Sequence, residues 1–141
     1  MEQKLLEALK KYWHYDSFRP MQREAMESVL SGRDTLVLMP TGGGKSIIYQ
    51  LPTLISDGLC IVVTPLIALM KDQVDRLRRM GISAVAVHSG LSSRQIDIAL
   101  DNCIYGDVKF LYVAPERLSS EMFRLRVDRM NVSILAIDEA H

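Results

Sequence analysis

The feature that most limits what this chain can fold into is Met39-Pro40-Thr41-Gly42-Gly43-Gly44-Lys45-Ser46. It lies between an apolar run, Thr35-Leu36-Val37-Leu38, and a helix-compatible segment that begins at Ser46. A strand, a glycine-rich turn and a helix in that order are the context a phosphate-binding loop requires. Glycines let the backbone turn tightly enough for successive N–H groups to converge on a phosphate chain. The following helix adds its unpaired N-terminal donors and the positive end of its dipole. In this pattern Lys45 supplies a cation for the β- and γ-phosphates, and the Ser46 hydroxyl is a magnesium ligand. The general pattern has glycine at its first position, where this chain has Met39. The competing reading is a glycine-rich hairpin or linker that merely precedes Lys-Ser.

The far end of the chain, Ser133-Ile134-Leu135-Ala136-Ile137-Asp138-Glu139-Ala140-His141, favours the phosphate reading. An apolar strand that delivers adjacent carboxylates at its C-terminal end suits a magnesium-dependent NTPase. Asp138 would hold the ion through water, because magnesium keeps most of its hydration shell. Glu139 would orient or deprotonate the attacking water.

Between these points apolar strands are expected near 35–39, 59–64, 84–88, 109–114 and 133–138, and helices near 45–56, 66–80, 92–105 and 115–129. Pro52 is expected to kink or shorten the first of these helices. Two further helices come first, over about 2–13 and from Pro20 to the Gly32 turn, the second burying Ala25, Met26, Val29 and Leu30. Strand–helix alternation with near-continuous apolar strands implies an α/β fold: a mostly parallel sheet of five or more strands with helices on both faces. Ligands of such sheets bind at the C-terminal strand ends. The phosphate loop, Thr64-Pro65, Ala114-Pro115 and Asp138-Glu139 all fall there.

The chain has 141 residues, 48% apolar and 24% charged, which suits one globular domain. Residues 1–34 read as N-terminal helices and 35–141 as a nucleotide-binding lobe, together one domain. Lys plus Arg and Asp plus Glu both total 17, so the strongly basic footprint of many nucleic-acid binders is absent. Cys60 and Cys103 fit neither a metal spacing nor a disulfide framework and read as buried thiols. No apolar run approaches a membrane span, and the N-terminus is no signal peptide, so the expected compartment is the cytoplasm.

Taken together, Phe18-Arg19-Pro20-Met21-Gln22, Met39–Ser46, Thr64-Pro65-Leu66-Ile67-Ala68-Leu69-Met70-Lys71-Asp72-Gln73, Ala114-Pro115-Glu116-Arg117-Leu118 and Asp138-Glu139-Ala140-His141 resemble the motor of RecQ-type DNA helicases, in helicase superfamily 2. The resemblance covers the whole chain, and Met39 at the first loop position is usual in that family. It implies a RecA-like, P-loop NTPase lobe that uses ATP and Mg2+. The implied activity couples hydrolysis to translocation on single-stranded DNA and to 3′–5′ unwinding, in DNA repair and recombination. It implies that Gln22, Tyr15 and Arg19 read adenine, with Gln22 on its edge and the other two stacking on the ring. Without it, Tyr15 reads as a packing residue and Arg19 as a solvated one.

The resemblance further implies that Thr41 and Gly42–Ser46 hold the phosphates. Thr64, Pro65, Lys71, Gln73, Pro115, Glu116 and Arg117 would hold one strand of single-stranded or partly duplex DNA by its backbone. His141 would link the nucleotide to DNA sensing. Arg76, Arg78 and Arg79 read as a solvated helix face. His88 reads as a packed strand-end residue, and Met70, Met80, Met122 and Met130 as core filler. In the family an aromatic-rich loop and a second lobe with an arginine finger follow, in a bacterial cytoplasm or nucleoid. This chain is therefore expected to bind ATP without unwinding DNA. The rival readings are another P-loop NTPase, an RNA helicase of the same superfamily, whose motif closes in aspartate where this chain has His141, and an inactive nucleotide-binding module.

Overall fold

A computed structural model of the chain describes residues 2–33 and 45–138. The chain divides into two compact units, Met1–Asp57 and Gly58–His141.

In the first unit, α1 spans Glu2–Ala8 and passes directly into a wider π-helical turn, Leu9–Trp13. The helix expected over 2–13 therefore changes its winding half-way along. His14, at φ 61°, ends it in the left-handed conformation. Helix α2 is Gln22–Leu30. It starts two residues after Pro20, because Met21 takes a left-handed φ of 74° and so stands outside the helix. Helix α3 is Ile47–Leu54 and is buried from Ile47 to Thr53. Pro52 lies inside it, and the helix stops two residues later, in keeping with the missing N–H. Hydroxyls serve the carbonyls at this end: Thr53 Oγ1 donates to Tyr49 O and Ser56 Oγ to Pro52 O, both at 2.7 Å. Leu5, Leu9, Met26, Ile47, Ile48 and Leu51 form this unit's core, and Leu30 packs against it half-buried.

The second unit is built on strands β1 (Leu59–Val63), β2 (Ala84–Val87), β3 (Phe110–Val113) and β4 (Val132–Ile137). They form one parallel sheet in the order β2-β3-β1-β4. The strand expected near 35–39 lies outside the described residues. Strands β1 and β3 are buried throughout, as continuous apolar runs covered on both faces should be. Helix α4 (Ile67–Arg79) packs over β2 and β3 on the face that carries Phe110 and Tyr112. Helices α5 (Ser93–Tyr105) and α6 (Glu121–Val127) lie on the opposite face. There Ile96, Leu100, Cys103 and Phe123 pack with Ile61, Val63, Val87, Leu111 and Val113. Helices thus cover both faces.

The helix expected over 115–129 is broken in two. A 3-10 helix, Pro115–Ser119, precedes α6. The break falls at Ser120, whose backbone is extended and whose Oγ accepts the Phe123 N–H at 3.2 Å. A serine in that role starts a new helix rather than continuing the old one.

Candidate nucleotide and nucleic-acid site

The lobe's strand ends supply the main geometry. Val87, Val113, Val63 and Ile137 stand in register across the sheet. The next residue of each strand is His88, Ala114, Thr64 and Asp138. The ladder continues through three of them: Ala114 N–H donates to Val87 O (3.2 Å), Thr64 N–H to Val113 O (3.1 Å) and Asp138 N–H to Val63 O (2.9 Å). These four residues form a row along the carboxyl edge of the sheet. All four are buried, with Asp138 at 8% exposure and Thr64 at 1%. A carboxylate this enclosed at a strand end is expensive without partners, and Asp138 does interact beyond its backbone bond.

Chain direction changes just beyond each strand. After β1, Thr64 Oγ1 accepts the Leu66 N–H at 3.4 Å, and Pro65 is exposed before α4 begins. The hydroxyl of Thr64 is thus turned into the loop, while Lys71 stands exposed on α4. Gln73 does not stand out with it. Its Oε1 accepts the phenol proton of Tyr112 on β3 at 2.7 Å. After β3, Pro115 and Glu116 are exposed and Arg117 is half-buried. The Arg117 Nε is shut from solvent and has no hydrogen-bond partner among the described residues. An ionised donor in that state retains unused bonding capacity toward an anion. At β2, His88 is packed, and its Nδ1 accepts the Gly90 N–H at 3.0 Å. Arg76, Arg78 and Arg79 are exposed, with Arg78 Nε donating to Ala84 O at 2.9 Å.

In the first unit, Lys45 and Ser46 open α3. Lys45 O accepts the Ile48 N–H at 3.1 Å, and Ser46 O accepts the Gln50 N–H at 3.0 Å. The Ser46 side chain makes no capping bond to its own helix. Near α2, Gln22 is buried and closes a tight loop with Arg19. Its Oε1 accepts the Arg19 N–H at 2.8 Å, while its own N–H donates to Arg19 O at 3.1 Å. Tyr15 is 52% exposed and Arg19 also faces solvent. Aromatic packing in this unit falls instead to Tyr12 and Trp13, which meet edge to face at 6.2 Å. Thr41, Gly42, Gly43 and Gly44 of the loop, and Glu139 and His141 of the terminal motif, lie outside the described residues.

The signal that sequence reasoning missed is at Tyr112. A buried tyrosine in an apolar strand needs a partner for its hydroxyl. Gln73 shares a helical face with the buried Met70, Val74 and Leu77, so it was the residue placed to provide one.

A profile of the DEAD/DEAH box helicase family matches residues 19–141. The chain belongs to that family. It is 45% identical over 141 residues to the ATP-dependent DNA helicase RecQ of Synechocystis, covering 99% of this chain and 30% of that protein. It is 46% identical over 131 residues to the ATP-dependent DNA helicase RecQ of Bacillus subtilis, covering 92% of this chain and 22% of that protein. The chain therefore spans between a fifth and a third of the length of these relatives. The crystal structure of a hypothetical ATP-dependent RNA helicase from Sulfolobus tokodaii superposes with a TM-score of 0.65 at 19% identity, over 97% of this chain and 50% of that one. That likeness bears on the fold alone: an α/β lobe with a parallel sheet flanked by helices, of the RecA-like P-loop NTPase kind. No helix of the described residues is long and apolar enough to cross a membrane.

Proposed function

We propose that this chain is the ATP-binding part of a RecQ-like DNA helicase, and that residues 1–34 and 35–141 work as one domain. The observation that carries the reading is the row at the carboxyl edge of the sheet. It aligns Asp138 with Thr64 and with Ala114, the residue before Pro115. A carboxylate and two motif segments of different sequence origin thereby share one edge, the edge where open parallel sheets bind ligands.

Lys45, Ser46 and Asp138 are residue types that ATP with Mg2+ calls for. Lys45 and Ser46 open a buried helix, where N-terminal donors and the dipole favour anions. Lys45 would supply the cation for the β- and γ-phosphates. Ser46 and Asp138 would each offer an oxygen donor of the kind magnesium takes while it retains water. Bound magnesium supplies charge neutralisation and orientation of the phosphates. Glu139 holds the attacking water and accepts its proton. Gln22 reads the adenine edge, and Tyr15 and Arg19 stack on the ring. One DNA strand runs along Thr64, Pro65, Lys71, Pro115, Glu116 and Arg117, and His141 reports its presence to the nucleotide. The longer protein would meet single-stranded and partly duplex DNA in the bacterial cytoplasm and nucleoid, with a second RecA-like lobe as its partner in unwinding.

Fluorescence anisotropy of a labelled single-stranded DNA, titrated with this chain at several salt concentrations, tests the DNA half of the reading. Affinity is expected to fall with rising salt, and Lys71→Ala or Arg117→Ala to reduce the slope by about one phosphate each. Binding that ignores salt, or that ignores both substitutions, would contradict it.

A further inference from the structure

We propose that Gln73 is a positioning residue: through Tyr112 it locks α4 to β3, so that the two segments assigned to the DNA strand hold a fixed spacing. The inference rests on that assignment and reverses one part of it, since Gln73 acts on DNA through its partner rather than by touching a phosphate.

The two residues lie 39 positions apart in sequence, and the phenol–amide bond is 2.7 Å long. Tyr112 is 1% exposed. It stands in register between Val62 of β1 and Ala86 of β2, two residues before Ala114. Gln73 lies six residues beyond the start of α4, the helix that follows Thr64-Pro65. The bond therefore joins the element leaving one segment to the strand entering the other. The strand ends themselves are already laddered, Thr64 N–H to Val113 O at 3.1 Å. Helix α4 has no such ladder, because a helix packs on a sheet through side chains. The apolar contacts of Met70, Val74 and Leu77 do not fix its position along the strands; one directional bond ties its far end to β2, Arg78 Nε to Ala84 O at 2.9 Å, and the Gln73–Tyr112 bond ties its middle to β3. A hydrogen bond is directional, and here it is placed where sliding would break it. Lys71, two residues before Gln73, is positioned as a consequence.

The test compares Tyr112→Phe, Gln73→Leu and Gln73→Glu in this chain. Amide hydrogen exchange is followed over residues 64–71 and 113–118, with single-stranded DNA affinity measured alongside. Tyr112→Phe removes one oxygen from a side chain that no DNA strand can reach. It is expected to speed exchange several-fold in both segments and to weaken DNA binding several-fold. Gln73→Leu should have at least as large an effect, and the double variant should fall short of the sum of the two, since they share the phenol–amide bond. Gln73→Glu keeps an acceptor for the phenol and should hold exchange at the parent rate, a rescue that a contact made by the amide N–H groups would not give. Unchanged exchange in Tyr112→Phe, or a change in one segment only, overturns the inference. Faster exchange with unchanged DNA affinity leaves the lock standing and removes the assignment of these segments to DNA. Should Gln73→Leu fail to fold, Tyr112→Phe and Gln73→Glu decide between the same outcomes.

Discussion

The Gln22 amide is held before any nucleotide arrives, its Oε1 fixed on the Arg19 N–H at 2.8 Å. A buried side chain ordered in this way loses little freedom on reading a base edge. If it reads adenine, Gln22→Ala will weaken ATP-analogue binding roughly tenfold, the scale of one or two hydrogen bonds, while leaving guanine nucleotides nearly unaffected. A competition titration of the two nucleotides measures this, and equal loss for both would argue for a purely structural glutamine. Cys103 gives a second prediction at the same scale. Burial in the core of α5 pushes its thiol up to about 12 from an ordinary 9.0. The native state then keeps a proton that the unfolded chain releases near pH 9, so this contribution to stability is intact below that pH and is lost as pH rises toward 12. Thiol reagents at pH 8 should label Cys103 only as fast as the chain opens, and Cys103→Ala should flatten the alkaline decline seen in urea melts. Charge type and spacing made Lys45 and Asp138 legible as candidates. Gln73 was legible in a different sense: the helical period places it on the Met70–Val74–Leu77 face of α4, which residue type alone does not register.

Helix α5 owes its start to a reciprocal cap. Ser92 Oγ accepts the Gln95 N–H at 3.1 Å, and Gln95 Oε1 accepts the Ser92 N–H at 2.9 Å. Ser92→Ala should cost about 1 kcal/mol in a urea melt. A larger expected effect is at Gly58, where the chain enters β1. Its φ is 88°, and an added Cβ would lie 2.5 Å from Asn131 O at the entrance to β4. Gly58→Ala combines left-handed strain with a backbone clash and should destabilise by about 2 kcal/mol or more. Parent-like melting of Gly58→Ala would mean that Gly58 does not approach the Asn131 carbonyl this closely. Element types over the described residues were largely readable, because apolar runs of strand length alternate with helical periods. The exceptions have local causes: Ser120 splits the expected 115–129 helix, and Met21 delays α2, through hydroxyl capping and a left-handed turn that periodicity does not register.

Across the whole molecule, β4 is the element with most unfinished business. Among the described residues it pairs only with β1, and it leaves Leu135 and Ile137 62% and 65% exposed on the face that elsewhere packs under α5 and α6. An apolar edge of that kind favours self-association. Leu135→Lys should raise the concentration at which the chain stays monomeric in sedimentation, without altering nucleotide binding. Zero formal charge adds little repulsion to oppose such association. Calorimetric titration with magnesium and a non-hydrolysable ATP analogue tests most directly whether the phosphate loop of this chain holds ATP. Saturable binding by the parent chain, lost in Lys45→Ala with the fold intact by circular dichroism, is the predicted result. A folded parent chain that fails to bind, or a Lys45→Ala variant that binds equally well, would contradict it.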